Sequence, residues 1–277
     1  MPERDDDGQQ RATDGVAGLR QLMRTLRDPE RGCPWDRSQD FASIVPHTLE
    51  EAYEVAHAIE SGALGDLPDE LGDLLFQIVF YCQLGEESGR FDFDDVVGAI
   101  TDKLVRRHPH VFATVAVEDA DAVARNWEAI KAAERAHRGG GATSELDDVP
   151  PALPALTRAR KIQRRAARVG FDWPSVEGVR AKLDEELAEL DAACTAGDAA
   201  AAEDEFGDVL FSLVNLARHL DIDAEGALRA ATAKFERRFR AVEARLSARG
   251  VDMAGLDAAA LDREWRAVKA AGKKSGA

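Results

Sequence analysis

The chain has 277 residues, of which 45% are hydrophobic and 32% charged, with a formal net charge of −16 and a pI near 4.9. That length allows one large or two small domains with real cores, and an acidic chain gains nothing from counterion release, which argues against polymeric nucleic acid as a partner. Three isolated cysteines, Cys33, Cys82 and Cys194, offer neither a zinc spacing nor a disulfide framework.

The opening MPERDDDGQQRATDG is acidic, has no apolar stretch of the signal-peptide kind, and reads as a disordered tail over 1–15. A first domain is expected over 16–137. Its first strong helix carries an apolar stripe, Leu49, Ala52, Tyr53, Ala56 and Ile59, flanked by Glu50, Glu51 and Glu54. In the next, Leu71, Leu74, Leu75, Ile78, Val79 and Phe80 cover most of the circumference, which predicts a buried helix. Glu70, Asp73 and Gln77 share its one polar stripe. Within it the run LLFQIVFYCQL is too short for a bilayer and is broken by Gln77, so no membrane partner is expected and the chain reads as cytoplasmic. Asp92 or Asp94 can cap the following helix, which presents Lys103 and Arg107 one turn apart. A last segment holds Trp127 and Lys131. RGGGATSELDDVPPALP predicts a linker over 138–154, followed by a second domain over 155–271 and a tail over 272–277. Abundant helix formers and short polar connections make the fold all-α, two tandem bundles of four or five helices.

The two halves are copies. A shift of 135 carries Glu50, Glu51, Glu54, Glu70 and Asp73 onto Glu185, Glu186, Glu189, Glu205 and Asp208, and Gly72 and Phe76 onto Gly207 and Phe211. A shift of 131 carries Lys103 and Arg107 onto Lys234 and Arg238, in a helix that Asp221 or Asp223 can cap. At 138, Trp127 and Lys131 fall on Trp265 and Lys269, and Trp35 on Trp173. A period this long suits a duplicated domain rather than a solenoid.

Carboxylates on an apolar helix need their charge compensated, or they protonate. Taken singly, each acid reads equally well as a solvated helix face or an arginine partner. Taken as a set repeated in register, they read as an oxygen-only cradle for Mg²⁺, with Mn²⁺ as substitute. Glu54 and His57 form the Glu-x-x-His pair of di-iron bundles, but the duplicate has Ala192 in place of the histidine, which removes the second half of such a site. Lys103 with Arg107, and Lys234 with Arg238, read either as salt-bridge partners or as phosphate contacts. No Walker-type loop is present, so a polyphosphate would rest on cations and side chains. Gly72 and Gly207, inside strong helical patterns, predict close approach of a neighbouring helix or ligand, or a tolerated packing glycine. His108 and His110 have no counterparts and receive no role.

CPWDRSQDF ahead of LEEAYEV, and EFGDVLFSLVNLARHLDIDAEGALRAATAKFERRF, together with the Glu-Glu-x-x-Glu and Glu-x-x-Asp pairings, resemble the MazG family of nucleoside triphosphate pyrophosphohydrolases over nearly the whole chain. The resemblance implies an all-α homodimer whose site forms with a second subunit. It implies Mg²⁺-dependent hydrolysis of an NTP or dNTP to the monophosphate and pyrophosphate. It implies metal ligands at Glu186, Glu189, Glu205 and Asp208, and at Glu51, Glu54, Glu70 and Asp73 in the first repeat. Glu185 and Glu50 match the motif as residues that orient the attacking water. Lys234, Arg238, Trp265 and Lys269 match nucleotide-contacting positions, with Lys103, Arg107, Trp127 and Lys131 as counterparts. The implied role is clearance of aberrant or excess nucleotides, with the second repeat favoured as catalytic and the first as an active, structural or regulatory copy. A dUTP- or dCTP-preferring pyrophosphatase, and a non-catalytic nucleotide-binding regulator with relic sites, are the alternatives.

Overall fold

The computed structural model describes residues 15–113, 130, 134, 144–147 and 149–274. Trp127, Lys131, the tail over 1–14, residues 138–143 and 148 of the expected linker, and the end of the chain lie outside the described residues. Every regular element described is helical, as expected. The chain divides into two compact units that meet in sequence at Arg138 and Gly139.

In the first unit the helices are α1 (Gly15–Leu26), α2 (Pro34–Ser38), α3 (Phe41–Ser61), α4 (Leu67–Glu87), α5 (Phe93–Arg107) and α6 (Pro109–Phe112). α4 is central: α1, α3 and α5 each pack against it. Reciprocal caps set the helix starts. The Asp40 carboxylate accepts from the Ala42 and Ser43 amides while Ser43 Oγ accepts from Asp40 N at 2.9 Å, fixing the first turn of α3. Asp92 and Asp95 do the same for α5. Of the two candidate caps there, Asp92 is the one used; Asp94 instead pairs with Arg20 on α1 at 3.0 Å. The core is Met23, Ile44, Val79, Phe80 and Leu84, ringed by Leu19, Phe41, Phe76, Tyr81 and Phe93. Burying a ring the size of Phe80 stabilises the unit by roughly 2–3 kcal/mol.

In the second unit the helices are α7 (Ala155–Arg168), α8 (Val176–Ala196), α9 (Ala199–His219), α10 (Ala224–Ser247) and α11 (Ala258–Lys274). α8 and α7 pack on α9, α10 meets α7 and α9, and α11 packs on α10. Asp198 caps α9, and Asp223, rather than Asp221, caps α10. The duplication survives in the turns. α3 and α8 end on Gly62 and Gly197, 135 apart, with φ of 77° and 71°, a left-handed conformation that glycine adopts without steric cost.

One expectation is corrected. α4 is not buried all round: Val79 and Phe80 face the core, but Leu71 and Ile78 are 48% and 40% exposed. The same holds in the second unit for Phe206, Leu210 and Leu213 on α9 and for Phe235 and Phe239 on α10, all exposed. The described helices of each unit leave these apolar side chains exposed. Gly72 and Gly207 show no close approach either: a Cβ built on each meets no atom within 4 Å.

Candidate active site

α3 and α4 lie against each other so that the acids expected from sequence converge. Glu51 on α3 and Glu70 and Asp73 on α4 each present a carboxylate oxygen within 4.8 Å of the others. The second unit repeats this with Glu186 on α8 and Glu205 and Asp208 on α9, again within 4.8 Å. Glu186 is buried, Glu51, Glu70 and Glu205 half-buried, Asp73 and Asp208 exposed. The exposed Glu54 and Glu189 stand outside these trios but next to them. Glu54 is among the neighbours that push the Glu51 carboxyl up. Glu189 is the strongest of the neighbouring carboxylates that repel Glu205.

The electrostatics are those of a site short of positive charge. Burial raises the Glu51 carboxyl, and Glu54, Asp73 and Glu50 raise it further. Burial, then Glu54 and Asp73, raise Glu70. Burial, then Glu189, Glu186 and Asp208, raise Glu205. Oxygen-only donors that gather at this range and repel one another fit a hard divalent cation, and the donor set suits Mg²⁺ or Mn²⁺ over softer metals.

Sequence reasoning missed Lys182. Its Nζ sits 2.9 Å from Glu185 Oε1 and 2.8 Å from Glu186 Oε1, and the two glutamates hold it protonated well above the ordinary lysine range. The signal was present: Lys182 precedes Glu186 by one turn, and at the shift of 135 it falls on His47, whose Nδ1 lies 3.9 Å from Glu50 Oε2. Each copy thus places a basic side chain at the edge of its acids, an ammonium in the second and an imidazole in the first.

The expected phosphate contacts are distributed differently in the two units. Arg107 donates to Glu134 Oε2 from Nη2 at 2.5 Å and from Nε at 3.2 Å, so its guanidinium is committed to an ion pair. Lys103 shares that helix and is half-buried. In the second unit Lys234 and Lys269 are exposed and Arg238 half-buried. Trp265 packs against the core of Val242, Leu246 and Val268, with its ring 5.2 Å from that of Phe235. Among the described residues no hydrogen bond or ion pair joins these four to the trio of Glu186, Glu205 and Asp208.

A cavity of about 530 Å³ opens beside the second trio. Lys182, Glu186 and Asp208 line it, together with Phe171, Trp173 and Phe211. Asp172 anchors the loop that carries the first two of these aromatics: its carboxylate accepts from Arg218 and from the backbone N–H of Trp173, and His219 Nε2 lies 3.1 Å away. That loop lies between Gly170 and Ser175, a connection whose only advance signal was the pairing of Trp173 with Trp35.

Comparison with known proteins agrees with this geometry. Residues 39–112 and 175–242 each match the MazG nucleotide pyrophosphohydrolase domain. The chain is 53% identical over 250 residues to the nucleoside triphosphate pyrophosphohydrolase of Escherichia coli K12, covering 90% of this chain and 94% of that one. It is 43% identical over 248 residues to the nucleoside triphosphate pyrophosphohydrolase/pyrophosphatase MazG of Thermotoga maritima, covering 90% and 93%. It is also 41% identical over 258 residues to the YabN protein of Bacillus subtilis, covering 93% of this chain and 52% of that one. Two domain matches that span both acidic trios, and two relatives aligned over more than nine-tenths of their own length, settle the assignment: the chain belongs to the MazG nucleotide pyrophosphohydrolase family.

Proposed function

We propose that this chain hydrolyses nucleoside triphosphates, NTP or dNTP, to the monophosphate and pyrophosphate, with the second unit as the working site. The observation that carries the reading is the convergence of Glu186, Glu205 and Asp208 within 4.8 Å, duplicated in register by Glu51, Glu70 and Asp73. The names of the relatives point to the same reaction. The cavity and the exposed basic side chains accompany the second trio, whereas Arg107 in the first unit is tied to Glu134.

Glu186, Glu189, Glu205 and Asp208 would hold Mg²⁺, with Mn²⁺ as substitute; Glu51, Glu54, Glu70 and Asp73 are the equivalent set. When bound, the cation supplies positive charge to the phosphate oxygens and lowers the pKa of a water. The chain's own residues do the rest. Glu185, held by Lys182, orients the attacking water and accepts its proton; Glu50 is its counterpart. The water oxygen bonds to the α-phosphorus while the bond to the α,β-bridging oxygen breaks, and pyrophosphate departs with the electron pair. Lys234 and Arg238 neutralise its growing charge, and Trp265 with Lys269 positions the nucleotide. Lys103, Arg107, Trp127 and Lys131 are the first-unit counterparts.

The exposed apolar faces of α9 and α10 support a homodimer in which a second copy covers them, bringing basic residues to the acids of its partner. No described helix is long and apolar enough to cross a membrane, and we place the enzyme in the cytoplasm, clearing aberrant or excess nucleotides. The test is incubation of the purified chain with each NTP and dNTP plus Mg²⁺, with products resolved by ion exchange. Monophosphate and pyrophosphate, lost in Glu189→Gln but not in Glu54→Gln, are expected. Diphosphate with orthophosphate, or hydrolysis indifferent to Mg²⁺, overturns the reading.

A further inference from the structure

Among the described residues, one buried side-chain atom lining the cavity beside the second trio has no hydrogen-bond partner. Gln163, on α7, is 6% exposed. Its Nε2 donates to the carbonyl oxygen of Phe211 at 2.8 Å, and its Oε1 has no hydrogen-bond partner. The carbonyl fixes the amide's orientation, because an amide oxygen in that place would face another acceptor. The unpaired atom is therefore an acceptor, buried and lining the cavity. A buried, unsatisfied acceptor costs stability unless something donates to it.

The duplicate unit shows that the fold does not need it. In each unit an arginine on the first helix pairs with an aspartate at the start of the basic helix: Arg20 with Asp94, in the first turn, at 3.0 Å, and Arg160 with Asp223, the cap, at 3.4 Å. Arg20 and Arg160 are 140 apart, and on that register Gln163 falls on Met23. Met23 is wholly buried among Ile44, Val79 and Phe80. One copy fills the position with an apolar side chain; the other places an unpaired acceptor there and leaves a cavity of about 530 Å³.

The remaining walls suit a flat, partly polar ring. Phe171 is 82% exposed and Trp173 44% exposed, an unusual exposure for two neighbouring aromatics, and both line the cavity. Base–aromatic stacking uses such surfaces whatever the base. Asn215 lines it too; its Oδ1 accepts from Arg218 Nη2 at 2.7 Å, so the amino group is what it has to donate. An acceptor and a donor that line one cavity suit the donor and acceptor groups on the edge of a nucleobase.

The geometry points to this cavity as the nucleobase subsite of the second unit, with Gln163 Oε1 accepting a base N–H. It rests on the nucleotide reading above and adds to it the residue that senses the base. Glu186 and Asp208 line the same cavity, so the phosphates of the same nucleotide would lie at the acidic trio. The subsite takes bases that carry an N–H on the edge they present and disfavours those in which that hydrogen is absent or methylated.

Affinity is read by calorimetry on the full chain with Mg²⁺, using monophosphates, which the proposed reaction does not consume. Pairs that differ in one donor are compared: AMP with purine riboside monophosphate, CMP with pyrimidinone riboside monophosphate, UMP with 3-methyl-UMP. In at least one pair the donor-bearing member is expected to bind about tenfold or more tightly. Gln163→Met, which copies the Met23 of the first unit, should erase that difference by weakening the donor-bearing member alone. Phe171→Ala, at an exposed position and so harmless to folding, should weaken every monophosphate while leaving inorganic tripolyphosphate unchanged. The proposal is overturned if no pair separates by more than about twofold, if Gln163→Met weakens both members equally, or if Phe171→Ala changes nothing. Hydrolysis of the triphosphates is measured separately. A chain that cleaves them yet shows no separation keeps its reaction and loses this subsite; one that separates the pairs but cleaves nothing does the reverse.

Discussion

Lys182 Nζ lies 2.8 Å from Glu186 Oε1, and Glu186 is 5% exposed. A buried carboxylate is thus compensated by a lysine from its own helix, one turn away. The ammonium and a bound divalent cation would neutralise the same charge. Lys182→Met should therefore lower the melting temperature clearly in EDTA and by a smaller amount with Mg²⁺. An equal drop in both buffers would mean that the ammonium and the metal do not share a partner.

A cation held by these acids would contribute to stability. A cation that binds only the folded chain stabilises it by about 2.7 kcal/mol at a hundredfold excess over its Kd. Added Mg²⁺ should raise the melting temperature of the wild-type chain. Glu205→Gln, which removes one carboxylate from the second trio, should shrink that rise while leaving the melt in EDTA unchanged or higher, because it also removes repulsion from Glu189, Glu186 and Asp208. Thermal melts across a Mg²⁺ series read both effects.

Glu134 titrates in the opposite sense. Hydrogen bonds from Arg107, reinforced by Arg106, hold its carboxyl down at about 2, against 4.5 for the free side chain. A depressed carboxyl contributes stability that is fully present above 4.5 and is lost as pH falls toward 2. Glu134→Gln should destabilise the chain at pH 7, and the gap between the two proteins should close as pH falls through that window. Chemical denaturation at stepped pH checks it; a gap that persists at pH 2.5 would assign the loss to packing.

Phe80 is fully buried at the centre of the first unit's core. Phe80→Ala leaves a cavity ringed by Met23, Ile44 and Val79 and should cost about 3–5 kcal/mol in urea unfolding. The acidic trio of the second unit should keep its response to Mg²⁺ in this variant, since its cradle is built from α8 and α9.

Phe206 and Leu213 are 53% and 43% exposed on α9. Phe206→Asp with Leu213→Glu should convert a dimer to a monomer in sedimentation velocity with helicity unchanged. A wild-type chain that sediments as a monomer, or a double variant that stays dimeric, would remove the second copy from these faces.

Much of this was legible in the residues alone. Helical periodicity around Leu71 to Phe80, and a repeat of 135 linking five acids, marked both bundles and two sets of four candidate ligands, because a carboxylate stripe on an apolar helix needs its charge compensated; packing brought three of each set together and left Glu54 and Glu189 outside. Asp92 and Asp223 as caps followed from short-range chemistry that the linear sequence carries. What tertiary packing decided was which groups meet. Arg107 and Arg238 are equivalent by register, yet Arg107 is held by Glu134. Leu71 and Ile78 belong to a helix that reads as buried, yet they lie on its open side, because periodicity reports which faces are apolar and not how many neighbours exist to cover them. Lys182 and Gln163 carry no motif. Their roles come from a distance to Glu186 and from an amide that only the approach of α7 to α9 leaves with one atom unpaired, and a linear chain holds no such distance.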